Sequence, residues 1–163
     1  MIRFETIARD RFEQAAPEMF AIMSANMADL VRPEKDPLGG LPLWREETMK
    51  LMQSRHRKMI LIYSDETIIG FFICTVQDGC LSIEDMQIAA EWQGKNNIFW
   101  MLFNYLSPKL PDTLTTIRAK TKKKNAKAHG ILLHLGLHVV DETENSYLYE
   151  GEYKDFLNWF NRK

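Results

Sequence analysis

The 163-residue sequence has few cysteines, almost no excess charge and no long hydrophobic segment. Its two cysteines, Cys74 and Cys80, lack the C-x-x-C spacing of redox and zinc sites. They allow at most one disulfide, which excludes a disulfide-stabilised scaffold. We therefore predict two buried thiols in a reducing compartment. The formal net charge is −1, whereas nucleic-acid-binding domains are usually strongly basic. The longest uncharged segment, 96–108, is too short for a membrane span, and residues 1–5 lack the apolar centre of a signal peptide. We therefore predict a cytoplasmic protein without nucleic-acid or membrane partners.

The composition is that of one folded globular domain. Hydrophobic residues make up 45% and charged residues 26% of the chain, too apolar a composition for intrinsic disorder. A chain of this mass buries about 70% of its unfolded surface, enough for one core. We therefore predict a single domain over residues 1–163.

Apolar periodicity and turn residues predict elements in the order β-α-α-β-β-β-α-β-α-β-β-α. The predicted strands are 2–6, 58–63, 67–76, 80–89, 113–119, 137–140 and 146–149, and the predicted helices are 12–30, 44–52, 98–106, 125–135 and 154–160. We place Pro17 in the first turn of the main first helix and a loop at 31–42. The strand-helix-strand unit over 80–119 predicts a parallel strand pair with a right-handed crossover. The fold class is α/β: a mixed sheet of about seven strands flanked by helices.

Three local patterns occur in order along this arrangement. Residues 83–88 form an apolar-Glu-Asp-apolar strand, residues 93–98 form a Gly- and Asn-rich turn, and Asn125-x-x-Ala128 precedes a Leu-Gly-Leu sequence. Together they resemble the GNAT superfamily of acyl-CoA-dependent N-acyltransferases, which has a Glu-Asp strand, an [Arg/Gln]-x-x-Gly-x-[Gly/Ala] loop and a late Asn helix that ends in Gly-Phe. The resemblance covers residues 2–149 and implies the GNAT fold.

The sequence departs from the family pattern at three positions. Asn96 and Ile98 occupy the two small-residue positions of the loop, so the pyrophosphate loop is degenerate. Asparagine tolerates left-handed backbone angles and is the better substitute. Leu132 stands where many members carry a tyrosine that protonates the departing thiolate. The chain therefore uses another proton donor or performs no chemistry.

The resemblance implies acetyl-CoA as the co-substrate. Backbone N–H groups at the start of a helix suit a pyrophosphate. The residues of the turn alone favour an ordinary strand-to-helix connection, but the Glu-Asp strand before it and Asn125 after it reverse that preference. The pantetheine arm would bond to the main chain of the Glu-Asp strand and to Asn125, whose alternative role is helix N-cap. One or two of Lys122, Lys123 and Lys124 would meet the 3′-phosphate, or the three would form a solvated basic loop. The implied cofactor-binding residues are Met86, Gln87, Ile88, Gln93, Gly94, Lys95, Asn96, Asn97, Ile98, Phe99 and Asn125.

The implied catalytic residue is Glu84. Strict alternation places Glu84 on one strand face with Met86 and Ile88, and Asp85 on the opposite face in a structural role. A carboxylate within an apolar strand needs a task or a partner. We predict that Glu84 is the general base that deprotonates an attacking ammonium, with an ion pair or an exposed strand end as the alternatives.

None of the four histidines has metal-ligand spacing to a cysteine or carboxylate, so we predict no metal site. His129, one turn before Leu132, either faces the thioester or, as we predict, lies on the surface.

The sequence predicts an N-acetyltransferase that moves an acetyl group from acetyl-CoA to a primary amine of a small molecule or peptide, by direct attack in a ternary complex. The first two helices and the loop at 31–42 would select the acceptor, but they carry no diagnostic pattern. The alternatives are a non-catalytic acyl-CoA-binding or protein-interaction module on the same fold and, less favoured, a nucleic-acid binder that uses the basic run 118–127. The oligomeric state is left open, a homodimer included.

Overall fold

The computed structural model describes residues 1–28 and 37–161. The strands are β1 (Ile2–Ile7), β2 (Arg57–Ser64), β3 (Thr67–Gln77), β4 (Cys80–Ile88), β5 (Thr116–Lys122), β6 (His138–Glu142) and β7 (Ser146–Glu152). The α-helices are α1 (Arg9–Met27), α2 (Pro37–Leu51), α3 (Ile98–Leu106), α4 (Ala126–His134) and α5 (Tyr153–Asn161). Residues 31–36 of the predicted acceptor loop at 31–42 lie outside the described residues.

The strands form a seven-stranded sheet in the order β1-β2-β3-β4-β5-β7-β6. Neighbours pair antiparallel except β4 and β5, which are parallel and joined through α3. The predicted mixed sheet and its parallel pair are confirmed. Because β4 and β5 are the only parallel neighbours among the described strands, their carboxyl ends lie together beside the starts of α3 and α4.

Apolar side chains cover both faces of the sheet. On one face, Phe12 and Met19 of α1 pack with Leu61 and Phe71. On the other face, α3, α4 and α5 pack on a second core cluster. The main members of that second cluster are Ile60, Phe72, Leu81, Phe103, Leu132, Tyr149 and Phe156. Adjacent Ile60 and Leu61 thus point to opposite cores, as strand geometry requires.

The first two helices begin earlier than predicted. Helix α1 begins at Arg9, so Pro17 lies inside the helix on its exposed side, and the prediction of a first-turn proline is wrong. Phe12 and Met19, on either side of it, are fully buried, and their packing outweighs the lost backbone hydrogen bond. Helix α2 begins at Pro37, where a loop was predicted.

The two cysteines are free thiols. Cys74 is buried, and burial raises the pKa of its thiol to about 12, so it carries no reactive thiolate. Cys80 is half-buried rather than fully buried as predicted. Within the described part of the chain, no helix has both the length and the apolarity of a membrane span.

Candidate active site

An open gap lies between β4 and β5. The two strands pair only from Cys80 with Thr116 to Ile83 with Ala119, yet β4 continues to Ile88. The last part of β4 therefore has β3 on one edge, and none of the described strands pairs with its other edge. A gap of this kind leaves main-chain hydrogen-bonding groups available to a ligand that runs along the strand.

A β-bulge marks the point where the strands separate. Ile83 pairs with Cys74 and Asp85 pairs with Ile73, so Glu84 is the extra residue of β4. A bulge bends and twists its strand, which turns the end of β4 away from β5.

Alternation along β4 determines which peptide groups face the gap. The N–H of Ala89 donates to the carbonyl of Ile69 across the β3 edge at 2.8 Å. Residues two apart point the same way, so the peptide of Gln87 also faces β3, whereas those of Met86 and Ile88 face the gap. Of the three predicted pantetheine contacts, Met86 and Ile88 have the required main-chain orientation.

The turn before α3 has the backbone expected of an anion site. Asn96 and Asn97 adopt left-handed angles, with φ of 58° and 50°, as does Gly94 at 70°. The prediction that Asn96 tolerates this conformation is confirmed. The first α3 hydrogen bond runs from the N–H of Met101 to the carbonyl of Asn97, so earlier N–H groups of the helix have no partner within it. Those N–H groups and the helix dipole favour an anion at this point.

Ile98 does not obstruct this turn. Its side chain is 2% exposed and packs with Ile62 and Ile69 in the core. The ring of Phe99 also packs inward, against Phe103. Lys95, in contrast, is exposed on the outside of the turn. The large residue at a position where the family has a small one therefore points away from the surface that would receive a phosphate.

A chain of side-chain hydrogen bonds links three elements at the end of β4. The carbonyl of Ile88 accepts bonds from Asn26 of α1 and from Gln93, each at 2.9 Å. Lys127 of α4 donates to Gln93 at 2.6 Å. Asn26 also bonds to the Gln87 side chain at 3.1 Å. Sequence analysis did not identify Asn26 or Lys127, because nothing in the local pattern of either helix distinguishes them.

The bulge brings Glu84 and Asp85 to the same face. Glu84 pairs with Arg57 at 2.8 Å and accepts a hydrogen bond from the hydroxyl of Thr75. Asp85 pairs with Ile73, whose side chain belongs to the α1 core. The prediction that the two carboxylates lie on opposite faces is wrong, because the extra residue interrupts the alternation. The ion-pair alternative for Glu84 is observed, and its role as a base remains a prediction.

Arg57 and Asp85 are half-buried charged groups beside Glu84. The Arg57 side chain is 10% exposed, and among the described residues nothing hydrogen-bonds to its buried Nε. Burial raises the pKa of the Asp85 carboxyl, although a 2.7 Å hydrogen bond from Gln87 opposes this shift. Sequence analysis missed Arg57, whose only signal was its place at the start of an apolar strand.

The start of α4 borders the other side of the gap. Asn125 caps the helix, and its Oδ1 accepts from the N–H of Ala128 at 3.1 Å, as predicted. The Nδ2 of the same amide remains available to a ligand, because the cap uses only the oxygen. His129 is half-buried and hydrogen-bonds to Tyr149, so the prediction of a surface histidine is wrong. Leu132 lies in the core at 9% exposure.

The basic loop before α4 is only partly solvated. Lys123 forms an ion pair with Glu142 at 2.6 Å and lies over the ring of Tyr147. Lys122 and Lys124 are exposed. Within residues 1–28 and 37–161, no three His, Cys, Asp or Glu side chains gather to hold a metal ion, and the absence of a metal remains a prediction.

No family model matches the sequence. No curated protein matches it either. Solved structures do match. PaiA N-acetyltransferase from Thermoplasma acidophilum, solved in complex with coenzyme A, has a TM-score of 0.74 at 15% identity, over 94% of this chain and 99% of that one. The spermidine/spermine N-acetyltransferase SpeG from Vibrio cholerae has a TM-score of 0.64 at 14% identity, over 96% of each chain. An acetyltransferase assigned to the GNAT family from Desulfovibrio desulfuricans has a TM-score of 0.70 at 12% identity, over 93% of this chain and 99% of that one. The chain therefore has the GNAT fold, as the sequence resemblance implied.

Proposed function

We propose that this protein is an N-acetyltransferase that moves the acetyl group of acetyl-CoA to a primary amine of a small molecule or peptide. The observation that carries the proposal is the gap between β4 and β5, which is lined by the main-chain groups of Met86 and the N–H of Ile88 and meets the start of α3, where no side chain caps the helix. A long ligand with an anionic end and an amide-bearing arm matches this site in shape and in hydrogen bonding. Coenzyme A has both features.

The donors on each side of the gap fit coenzyme A. The N–H groups of the Gly94–Phe99 turn would hold the pyrophosphate. The main-chain groups of Met86, the N–H of Ile88 and the Asn125 amide would hold the pantetheine arm. The exposed Lys122 and Lys124 would face the 3′-phosphate. When bound, acetyl-CoA supplies the activated acyl carbon, and all other contributions come from the side chains and peptides around it.

The carboxylates at the bulge supply the proton acceptor. A primary amine is protonated at neutral pH and must lose a proton before it attacks. Glu84 is partly exposed, with 32% of its side chain accessible, so an acceptor can reach it. Arg57 and Thr75 orient the Glu84 carboxylate. We assign the general-base role to Glu84 and a supporting role to the more buried Asp85.

The alternative is an acyl-CoA-binding module without catalysis on the same fold. The observation that favours it is Leu132, buried in the core, which has no proton to donate. Both functions require coenzyme A binding, so turnover alone separates them.

Two measurements test the proposal in sequence. Millimolar acetyl-CoA is expected to raise Tm, and no increase would contradict both functions. Release of coenzyme A thiol is then followed with a panel of primary amines that includes polyamines, amino acids and a lysine peptide. Thiol release that depends on an amine supports the transferase. Acetyl-CoA binding without transfer to any amine favours the module.

A further inference from the structure

A histidine–tyrosine pair lies level with the closed end of the gap, across β5 from it, and the function proposed above does not use it. His129 Nδ1 hydrogen-bonds to the hydroxyl of Tyr149. Tyr149 is fully buried and pairs with Ala119, the last residue of β5 that is in register with β4. The pair is therefore at the level where the two strands begin to separate.

The first residues of α4 form hydrogen bonds with two other elements of the fold. Lys127 hydrogen-bonds to Gln93 in the loop after β4, whereas His129 hydrogen-bonds to Tyr149 of β7. Residues two apart on a helix point in nearly opposite directions. The start of α4 therefore lies between the loop after β4 and β7, alongside the gap.

The hydrogen bond to Tyr149 determines which ring nitrogen of His129 remains available to a ligand. Each ring nitrogen takes one partner, so Nδ1 is occupied and Nε2 is the atom that can meet a ligand. Tyr149 is fully buried and cannot touch a ligand in the gap except through His129. Burial raises the pKa of the Tyr149 phenol, with Tyr147 adding to the effect, so the phenol keeps its proton.

Tyr147 and Lys123 are further polar groups near His129. The ring of Tyr147 lies 5.8 Å from that of His129. Lys123 lies over Tyr147 at 5.1 Å, and Glu142 balances its charge at 2.6 Å. The His129–Tyr149 pair thus brings two proton-bearing groups to the level at which β4 and β5 separate.

We propose that His129, positioned by Tyr149, contacts the sulfur of coenzyme A and protonates the departing thiolate. This inference rests on the function proposed above and identifies the proton donor that Leu132 cannot be. As the amine nitrogen bonds to the acyl carbon, the carbon–sulfur bond breaks and its electron pair stays on sulfur. Protonated His129 gives its Nε2 proton to that sulfur and becomes neutral, with its Nδ1 proton still shared with Tyr149. Before the attack, Glu84 takes one proton from the ammonium and passes it to solvent. As the amide forms, the nitrogen gives its second proton to Glu84, and solvent later restores the proton of His129.

Binding measurements test the sulfur contact without turnover. Wild-type affinity for coenzyme A is compared with affinity for desulfo-coenzyme A, in which hydrogen replaces the thiol. We expect wild-type protein to prefer coenzyme A by about tenfold, because desulfo-coenzyme A cannot form the one hydrogen bond between His129 and the sulfur. His129→Leu is expected to abolish the preference. His138→Leu, at an exposed histidine of β6, is the matched control and keeps it.

Turnover measurements test the proton transfer. His129→Leu is expected to lower kcat by roughly 10²-fold or more, with the KM for the amine little changed. Tyr149→Phe is expected to lower kcat less and to weaken the thiol preference, since the phenol acts only through His129. If His129→Leu leaves the Tyr149 hydroxyl unpaired and fails to fold, the double variant His129→Leu/Tyr149→Phe removes both partners and replaces it in each assay.

The outcomes separate this inference from the proposed function. Equal wild-type affinity for the two ligands, or a preference that persists in His129→Leu, overturns the sulfur contact. An unchanged kcat in a folded His129 variant overturns the proton transfer. If wild-type protein binds acetyl-CoA but acetylates no amine, both the proposed function and the proton transfer are wrong. The affinities for coenzyme A and desulfo-coenzyme A still test the contact between His129 and the sulfur.

Discussion

A single negative charge at the start of α3 is the sharpest test of the anion site. Asn97 has left-handed angles, with φ of 50° and ψ of 40°, and its side chain makes no capping hydrogen bond. Aspartate tolerates the same angles, and a carboxylate at a helix N-terminus stabilises the helix. Asn97→Asp is therefore expected to keep or slightly raise Tm while it places a like charge beside a bound pyrophosphate.

The magnitude follows from the geometry of the turn. A phosphate held by the first N–H groups of α3 would lie roughly 6 Å from a carboxylate at Asn97. At that distance one pair of like charges costs about 0.7 kcal/mol at the dielectric constant of water and about 3 kcal/mol at the effective value near a protein surface. We expect a cost of about 1–3 kcal/mol, or roughly 5- to 150-fold weaker acetyl-CoA binding.

Calorimetric titration with acetyl-CoA measures the effect. Asn104→Asp is the matched control, because Asn104 is an exposed asparagine two turns further along the same helix, roughly 10 Å away. A charge at that distance is about one Debye length from the site and is expected to change affinity less than twofold. The loss at Asn97 should shrink as salt is raised.

Equal affinities for Asn97→Asp, Asn104→Asp and wild type would refute the assignment. The phosphates would then bind elsewhere, and the free N–H groups of α3 would be only a feature of an ordinary turn. A fall in Tm for Asn97→Asp would instead show that the left-handed turn does not accept aspartate, and the affinity comparison would then be repeated with Lys95→Glu.

Three further predictions concern the charged groups around the gap. Glu84→Gln is expected to lower turnover by roughly 10²-fold or more with acetyl-CoA affinity little changed, and also to lower Tm because Arg57 loses its partner; unaltered turnover and pH profile would make Glu84 a structural residue. Neutralising Lys122, Lys123 and Lys124 together is expected to weaken coenzyme A binding more than binding of its 3′-dephospho form, whereas equal losses would indicate a solvated loop. The pKa of Asp85 is raised in the folded state, so Asp85 lowers stability as pH rises from its unfolded-state pKa near 3.9 through its folded-state pKa. The stability of Asp85→Asn relative to wild type should therefore increase from pH 4 to pH 7 in denaturant titrations. A pH-independent difference would contradict the raised pKa.

The sequence by itself determined the elements and their order. Alternation and turn residues located the β2–β4 meander, and the spacing of β4, α3 and β5 required a parallel pair. It also identified the cap at Asn125 and the left-handed turn at Asn96, since both depend on residues close in the chain. Local propensity acts within a few residues, which explains why these predictions are confirmed.

The tertiary structure decided the composition of the site. The bulge at Glu84 changed the face of one carboxylate and brought it to Arg57, a partner 27 positions earlier in the chain. Packing turned Ile98 into the core and placed His129 against Tyr149, contacts that no local pattern encodes. Burial against distant strands outweighed the helix-breaking preference of Pro17 in the same way. Side-chain partners depend on which strands and helices meet in space, so the chemistry of the gap is visible only once the sheet has formed.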